Sequence, residues 1–360
     1  MKFLGIVSVL STTALVAACD GSSVLPGTDA GATADTGAVV DVQVTDRPAV
    51  TDTPAATDTP VATDTPVVTD GGATDSGSTC TPAMAAYTAP AGSASGWDYE
   101  MHGGDWPAMT FNIDGGLRTC DVDASAPADA AGMWTQQTPI DIVTTATMAD
   151  TGPVLTLNNY ARTVPFTMVN NGHTLQVNYA TTRTAGVDPY VSFNGTNYWL
   201  EQFHTHSHSE HTVNGTRYEM EMHFVHWSAP PGDPARTPLV MGVLFDSSAA
   251  GATANTEIAK LLAANPGAEM TRTVCSPDSV DLNALLPTNR AYFHYSPGSL
   301  TTPPCTAGFH WFVMQNPLTV TAAQGTSHRV IIANGHPTAT SEEDNYRVTQ
   351  PLNGRVVYTH

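Results

Sequence analysis

Positive charge is scarce in this chain of 360 residues. Lys and Arg together number 13 against 33 Asp and Glu, which gives a formal net charge of −20, and the only lysines are Lys2 and Lys260. Such a balance excludes electrostatic binding to nucleic acid or to anionic membrane surfaces. Because charged residues of both signs make up only 13% of the chain, Thr, Ser, Asn and Gln must supply most of the polar surface.

Long apolar runs are also rare, and the one at the N-terminus is too short to span a membrane comfortably. It begins after Lys2 and ends in small residues, which is typical of a bacterial signal peptide, predicted here over 1–18. Its end, Val16-Ala17-Ala18-Cys19, resembles the lipobox of bacterial lipoproteins. That resemblance implies cleavage before Cys19 and lipidation of this residue. An ordinary secretory peptide with a chance cysteine is the alternative, and in both cases we expect an exported protein, periplasmic or at the cell surface.

Aromatic residues are missing between 20 and 79, where Asp, Thr, Ala, Pro, Gly and Val dominate. Three consecutive repeats, TDTPAA, TDTPVA and TDTPVV, place a proline at every sixth residue and so interrupt helix and sheet hydrogen bonding. This composition cannot bury enough apolar surface to offset the entropy of ordering the chain. We therefore predict a disordered tether over 19–79, and a membrane contact only through the lipid of Cys19.

Cysteine is the next scarce residue. Beyond Cys19 the chain contains Cys80, Cys120, Cys275 and Cys305. An even number of cysteines in an exported protein favours two disulfide bonds. Four cysteines allow three pairings, and the residues alone do not choose among them.

From Cys80 onward, short β-branched and aromatic runs are bounded by Gly, Asn or Pro, which predicts strands. The predicted strands are Pro153–Leu157, Thr163–Val169, Thr174–Tyr179, Tyr190–Phe193, Tyr198–Phe203, Glu219–Trp227, Leu239–Phe245, Phe309–Met314, Val330–Ile332 and Val356–Tyr358. One helix is predicted over Asn255–Ala264, where apolar residues recur with helical spacing. The fold class is therefore mainly β, a single domain over 80–360.

Histidine is concentrated between Glu201 and Trp227. Alternate residues of a strand point to one face, so His204 and His206 share a face if this segment is extended. Asn214-Gly215 is a strong signal for a two-residue hairpin turn. If that turn sets the register, His206 lies directly opposite His223, with His204 two residues along.

Three imidazoles so placed can converge on one zinc ion, which in catalytic sites keeps three protein ligands and a water. Gln202 and Glu221 each precede a candidate ligand by two residues and are predicted to hold the outward ring nitrogens. His208 is a rival ligand by the same alternation. A solvated, histidine-rich surface strand is the alternative without metal.

Seven segments of the chain, including the histidine-rich ones, form recognisable motifs. In chain order they are Trp97-Asp98-Tyr99, Gln137-Thr138-Pro139-Ile140-Asp141-Ile142, Asn170-Asn171-Gly172-His173, Gln202-Phe203-His204-Thr205-His206, Ser209-Glu210-His211-Thr212-Val213, Glu221-Met222-His223-Phe224-Val225-His226-Trp227 and Gly298-Ser299-Leu300-Thr301-Thr302-Pro303-Pro304. Over about 95–360 the chain resembles the α-class carbonic anhydrases. The resemblance implies a large, mostly antiparallel twisted central sheet with few short helices and a zinc ion at the floor of a conical cleft. It selects His204, His206 and His223 as the metal ligands, and leaves His208, His211 and His226 as non-ligands.

The same resemblance implies hydration of CO₂ to bicarbonate and a proton through zinc-bound hydroxide. Thr301 matches the threonine that accepts from the hydroxide and donates to Glu210, and Thr302 matches a contact to bicarbonate. An apolar wall for CO₂ is implied at Val225, Val240, Leu300 and Trp311.

His173 matches the residue that shuttles protons, and its ordinary pKa of about 6.5 suits exchange near neutrality. Tyr99, Asn171 and Gln176 match positions that order water between the zinc and the shuttle. Bacterial relatives carry a disulfide matching Cys120–Cys305, which leaves Cys80 and Cys275 as the other pair.

Three departures from the family pattern stand close to the site. Thr205 replaces an aromatic residue between two ligands, His208 stands where relatives often carry Pro, and Phe309 stands where many have Val. We expect a zinc enzyme, a monomer or dimer, that is inhibited by sulfonamides and anions. The alternatives are a weakly active or inactive surface binding module on the same scaffold, and a side activity as a zinc esterase.

Overall fold

The computed structural model describes residues 80–89, 97–109, 111–113, 116–118, 120, 136–275, 278–334 and 343–360. The predicted signal peptide, the lipidation site Cys19 and the tether over 19–79 lie outside these residues. Within the described part of the chain, no helix is both long enough and apolar enough to cross a membrane.

Strands dominate the described residues. They are β1 (Ala83–Ala86), β2 (Phe111–Ile113), β3 (Gly116–Arg118), β4 (Asp141–Ile142), β5 (Met148–Ala149), β6 (Thr156–Asn158), β7 (Thr163–Val164), β8 (Phe166–Asn170), β9 (Leu175–Asn178), β10 (Tyr190–Phe193), β11 (Thr196–His206), β12 (Thr212–Val213), β13 (Thr216–Arg217), β14 (Met220–Trp227), β15 (Pro238–Asp246), β16 (Met270–Val274), β17 (Val280–Asp281), β18 (Tyr292–Ser299), β19 (Ala307–Met314), β20 (Leu318–Thr319) and β21 (Tyr358–Thr359). The helices are α1 (Thr256–Ala263) and α2 (Ala322–Ala333), with short 3₁₀ turns at Trp106–Ala108 and Thr144–Ala146.

One large sheet organises the fold. Its strands follow the order β1-β16-β8-β9-β11-β14-β15-β19-β18-β21-β5, and β6, β10 and β20 pair beside this path. Neighbours are antiparallel except for the parallel pairs β15–β19, β15–β20 and β21–β5. The predicted fold class, mainly β with a large and mostly antiparallel sheet, is confirmed.

Strand β14 shows how the sequence places a polar site inside this sheet. Alternate residues Met220, Met222 and Phe224 enter the larger apolar core. His223 and Val225, which alternate with them, face a cleft on the other side of the sheet. Seven of its eight residues are buried because both faces are covered. Period-two alternation thus sends the core residues Met222 and Phe224 and the cleft residue His223 to opposite faces of the sheet.

The sequence predicts one of the two helices but not the other. Helix α1 lies within the predicted helix, and the Asn255 side chain accepts from the backbone N–H groups of Glu257 and Ile258. Helix α2 begins with a capping box between Thr321 and Gln324. The predicted strand Val330–Ile332 is wrong because these residues belong to α2. Its β-branched residues favour a strand locally, but the capped helix prevails.

The predicted hairpin register is also wrong, although its turn is right. Val213 pairs with Thr216 as expected, but His204 lies opposite His223, and His206 lies opposite Glu221. Strands β12 and β13 form a separate small sheet with β4, so the segment between β11 and β12 leaves the main sheet and the turn does not set the long register. Because the shift is by two residues, every side chain keeps its predicted face.

Both disulfides join distant parts of the chain. Cys80 is bonded to Cys275 and Cys120 to Cys305, with sequence separations of 195 and 185 residues. These are the pairings that the resemblance implied. The first bridge ties the segment before β1 to the end of β16, and the second reaches the segment between β18 and β19.

Candidate metal centre

Three imidazoles converge at the base of the cleft. His204 and His206 extend from β11 and His223 extends from β14, and their candidate ligand atoms all lie within 4.8 Å of one another. His204 and His223 are paired across the two strands, and His206 lies on the diagonal. Burial lowers the pKa of all three, that of His206 to about 4, so the rings are neutral at pH 7. Neutral imidazoles offer the lone pairs that a metal ion requires.

Each ring has its outward nitrogen occupied by an oxygen atom. His204 Nδ1 lies 2.8 Å from Gln202 Oε1, and His206 Nδ1 lies 2.7 Å from the backbone oxygen of Asn345. His223 Nε2 lies 2.9 Å from Glu221 Oε1. Because these oxygens can only accept, the outward nitrogens carry the protons. The inward atoms, His204 Nε2, His206 Nε2 and His223 Nδ1, are therefore free to bind a cation.

Glu221 fixes this arrangement through four donors. Its carboxylate accepts from the backbone N–H groups of Glu210 and His211 at 2.8 Å each, from His211 Nδ1 at 2.7 Å and from His223 Nε2 at 2.9 Å. Burial alone would raise its pKa, but His211 and His223 hold the pKa well below its ordinary value. Gly242 leaves room for this carboxylate, since a Cβ there would meet Glu221 Oε1 at 2.8 Å.

A second buried carboxylate lies beside the ligands. Glu210 Oε1 accepts from the backbone N–H of Arg347 at 2.9 Å, and its side chain is hydrogen-bonded to Thr301. Glu210 Oε2 lies 3.5 Å from His206 Nε2. Burial raises the pKa of Glu210 to about 7, against the lowering effect of His223 and of these hydrogen bonds. A divalent cation at the imidazoles would favour the ionised form.

The cleft gathers most of the residues that the sequence analysis assigned to the site. They are Tyr99, Asn171, His173, Gln176, Gln202, His204, His206, His223, Val225, Val240, Leu300, Thr301, Thr302 and Trp311. Glu210 and Glu221 lie directly behind the imidazoles, out of contact with solvent. Phe309 packs with Trp227 in the apolar cluster beside the cleft and does not line the cleft itself.

His173 lies in the cleft wall. It belongs to the loop between β8 and β9, whereas the three ligand histidines lie on β11 and β14. Its ring stacks on Trp97 with centroids 3.9 Å apart and an interplanar angle of 13°. Its backbone N–H donates to Asn171 Oδ1 at 3.0 Å, and its carbonyl accepts from Asn345 Nδ2 at 3.0 Å. Asn171 thus also shapes the turn that presents His173, whereas the Gln176 side chain donates to Asn178.

The remaining histidines of the segment between Glu201 and Trp227 have other partners. His208 lies 3.0 Å from Asp344 on the protein surface. His211 bridges Glu221 and the hydroxyl of Tyr295, 2.7 Å from each. His226 is buried against the Tyr160 hydroxyl.

Several supporting residues escaped the sequence analysis. Asn345 and Arg347 come from a segment that lies 139 and 137 residues beyond the groups they hold, His206 and Glu210. No local sequence pattern predicts that a backbone carbonyl or N–H will contact a residue so far away in the chain. Gly242 had a weaker signal, a glycine inside a predicted strand, which often marks a close approach.

The N₃ donor set fits a catalytic zinc site, in which three ligands leave an open position. Among the described residues, the buried His206 Nε2 atom has no hydrogen-bond partner and faces this position. A family model described as eukaryotic-type carbonic anhydrase matches residues 126–360.

The chain belongs to this carbonic anhydrase family. A carbonic anhydrase of Neisseria gonorrhoeae is 33% identical over 276 residues, which are 76% of this chain and 92% of that protein. One from Klebsiella pneumoniae is 43% identical over 196 residues, which are 54% of this chain and 69% of that protein.

Solved structures of carbonic anhydrases share the fold. The Photobacterium profundum α-carbonic anhydrase matches with a TM-score of 0.51 and 34% identity over 62% of this chain and 88% of that chain. Carbonic anhydrase Cah3 from Chlamydomonas reinhardtii, solved in complex with acetazolamide, matches with a TM-score of 0.52 and 28% identity over 62% of this chain and 90% of that chain. Members of the α-carbonic anhydrase family are zinc enzymes, which agrees with the histidine cluster.

Proposed function

We propose that this protein catalyses the reversible hydration of CO₂ to bicarbonate and a proton, with zinc held by His204, His206 and His223. The observation that carries this proposal is the convergence of three neutral imidazoles whose outward nitrogens are all fixed by oxygen acceptors. When bound, zinc supplies the Lewis acidity that brings the ionisation of a water molecule close to neutral pH, an effect for which carbonic anhydrase is itself the standard example.

Thr301 and Glu210 orient the attacking oxygen. The carboxylate of Glu210 can only accept, so the Thr301 hydroxyl donates its proton to Glu210. The lone pairs of the Thr301 oxygen then remain available to accept from the nucleophile. The backbone N–H of Arg347 holds Glu210 in place from behind. The chain thereby aims one lone pair of the nucleophile into the cleft.

CO₂ is uncharged, and an apolar wall suits it. Val225, Val240, Leu300 and Trp311 supply this wall in the cleft. The indole N–H of Trp311 donates to the Ser299 carbonyl at 2.9 Å, which fixes the ring. Thr302, at the same end of the cleft, provides a polar contact for bicarbonate.

The reaction releases one proton for each bicarbonate, and His173 accepts it. The stack on Trp97 places this imidazole on the cleft wall, apart from the ligand imidazoles. Tyr99, Asn171 and Gln176 line the space between and would order water there. An imidazole with a pKa near 6.5 both accepts and releases protons at neutral pH.

Replacement of one ligand tests the metal centre. His204→Ala should abolish zinc retention, measured by elemental analysis, and CO₂ hydration, measured by stopped flow. His208→Ala is the matched control, because this histidine belongs to the same segment but lies on the surface beside Asp344. Undiminished hydration by His204→Ala would exclude this site.

The shuttle has a separate test. His173→Ala should slow hydration in weak buffer, and added imidazole should restore the rate. An unchanged rate in weak buffer would assign the proton transfer to another group. A sulfonamide of the acetazolamide type should inhibit the wild-type protein, as the complex of the Chlamydomonas enzyme suggests.

We also propose that the protein is exported and anchored through a lipid on Cys19. The support is the sequence before Cys19 and the two disulfides of the folded domain, which suit an oxidising compartment. Cys19→Ser should abolish incorporation of labelled fatty acid and release the protein from membranes. Equal labelling of the variant would exclude this anchor.

A further inference from the structure

The loop that carries His173 lies just beyond the backbone pairing of its sheet neighbours. Among the described residues, the pairing of β9 with the ligand strand β11 ends at Gln176, which lies opposite His204. Residues 171–174 form the loop between β8 and β9, called here the shuttle loop because it contains His173. Sheet pairing with the ligand strand therefore stops before this loop, and side chains must make any further connection between the two.

The side chain of Asn345 makes such a connection. The residue is fully buried, and its Nδ2 donates to the backbone carbonyls of His173 and Thr205 at 3.0 Å each. Its Oδ1 accepts from the Ser207 N–H at 2.7 Å, and its own N–H donates to the Ser207 carbonyl at 2.8 Å. Because the two carbonyls can only accept and an N–H can only donate, these partners fix the orientation of the amide.

The Thr205 carbonyl receives a second hydrogen bond from the shuttle loop. Thr174 Oγ1 donates to it at 2.6 Å, beside the hydrogen bond from Asn345 Nδ2. The other hydrogen bonds of the loop are local, since the N–H groups of His173 and Thr174 both donate to Asn171 Oδ1, at 3.0 and 2.9 Å. Asn171 therefore shapes the loop, whereas Asn345 and Thr174 connect it to the strand that carries two metal ligands.

This connection controls a distance on which proton transfer depends. A misplacement of about 1 Å can lower the rate of a reaction by about a hundredfold. The ring of His173 is held by its stack on Trp97, and its backbone is held by Asn345. Without the amide, the carbonyls of His173 and Thr205 would each lose a buried donor, so the loop would shift or admit water.

We propose that Asn345 is a positioning residue for proton transfer, whose side-chain amide fixes the shuttle loop, and with it His173, relative to the ligand strand. Thr174 shares this role through its hydroxyl. The inference rests on the proposed function of His173 as the proton acceptor. It concerns the side chain of Asn345, which is distinct from the backbone oxygen that holds His206.

The kinetic test separates proton removal from hydration. The ratio kcat/KM covers the steps up to the release of bicarbonate, whereas kcat in weak buffer also includes the removal of the proton. Asn345→Ala should therefore lower kcat by about tenfold in weak buffer, and kcat/KM should fall by a smaller factor. His328→Leu is the matched control, since it removes a buried hydrogen bond to the Thr205 side chain that does not involve the shuttle loop. It should lower kcat and kcat/KM by the same factor, if it lowers them at all.

Further measurements show whether Asn345 acts through His173. Added imidazole should restore kcat in Asn345→Ala, because a diffusible base does not need the loop. Combined with His173→Ala, Asn345→Ala should cause no further loss of kcat in weak buffer, since the group that it positions is already absent.

A smaller change keeps the test valid if Asn345→Ala does not fold. Thr174→Val removes one hydroxyl and should also lower kcat more than kcat/KM, whereas Thr174→Ser keeps the hydroxyl and should retain the wild-type balance between the two.

Three results would overturn the inference. They are equal falls of kcat and kcat/KM in Asn345→Ala, a preferential fall of kcat in His328→Leu as large as that in Asn345→Ala, and a further loss of kcat when Asn345→Ala is added to His173→Ala. Failure of the proposed function would be recognised separately. The wild type would then not hydrate CO₂, or His173→Ala would keep the wild-type rate in weak buffer, and the role of Asn345 would be excluded with it.

Discussion

The Thr205 hydroxyl and His328 Nε2 lie 2.8 Å apart and are hydrogen-bonded in the protein interior. Thr205 stands between two ligand histidines on β11, and His328 comes from α2. The Thr205 carbonyl also accepts from Thr174 Oγ1 at 2.6 Å and from Asn345 Nδ2 at 3.0 Å. A polar network therefore supports the ligand strand at Thr205.

Removal of either partner should leave the other buried and unsatisfied. We expect Thr205→Val and His328→Leu each to lower the free energy of unfolding by about 1–3 kcal/mol. The double variant should recover much of this loss, because two apolar partners leave no orphaned group. Urea unfolding of the four proteins gives the coupling energy. Additive losses would show that the hydrogen bond contributes nothing specific.

Glu221→Gln should weaken zinc binding by about 10–100-fold, the range found for groups that orient metal ligands. Four N–H donors surround this carboxylate, and an amide nitrogen would oppose at least one of them. Competition with a chelator measures the affinity. Gly242→Ala should act in the same direction, since its Cβ would lie 2.8 Å from Glu221 Oε1. If both variants bound zinc with wild-type affinity, Glu221 would not be needed to orient His223.

The sequence was most informative where residues capable of binding metal recur with the two-residue period of a strand. Alternation on β11 and β14 predicted the shared face of the three ligands, and this survived the wrong register because the shift was even. Helix α2 was missed because its β-branched residues at Val330–Ile332 favour a strand. Asn345 and Arg347 could not be found at all, since the groups with which they hold His206 and Glu210 are backbone atoms at long sequence separations.

Buried histidines should make the fold sensitive to acid. Burial lowers the pKa of His226 from 6.5 to about 3. Between these pH values, His226 is protonated in the unfolded chain but neutral in the folded protein. The contribution of neutral His226 is complete above pH 6.5 and falls as the pH drops toward 3, by about 1.4 kcal/mol per pH unit.

His226→Gln removes this titration while offering Tyr160 a polar partner. The stability of the wild type relative to the variant should therefore decline by about 2 kcal/mol between pH 6.5 and about pH 5. Urea unfolding in excess chelator keeps zinc loss out of the comparison. A constant difference across this range would contradict the assignment.

The two disulfides should differ in their effect on catalysis. Loss of either bridge, by paired Cys→Ser changes, should cost about 2–5 kcal/mol of stability. Of the two bridges, only Cys120–Cys305 lies next to the cleft residues Thr301 and Thr302, because the Cys305 N–H donates to the Thr302 carbonyl at 2.9 Å. Its loss should lower kcat/KM for CO₂ hydration at a temperature where both variants are folded.

Loss of Cys80–Cys275 is the matched control, since this bridge closes a similar span of 195 residues away from the cleft. Thermal unfolding and stopped-flow hydration measure the two effects separately. An equal fall in kcat/KM for both variants would indicate that the catalytic effect follows from global stability alone.

The backbone carbonyl of Asn345 and the backbone N–H of Arg347 have a consequence for biosynthesis. They hold His206 and Glu210 from positions 139 and 137 residues later in the chain. A growing polypeptide therefore contains His204 and His223 together with their partners Gln202 and Glu221, whereas His206 and Glu210 are made well before the backbone groups that hold them. The hydrogen bonds around His206 and Glu210 are therefore complete only after this later segment has folded back onto β11 and the segment that follows it.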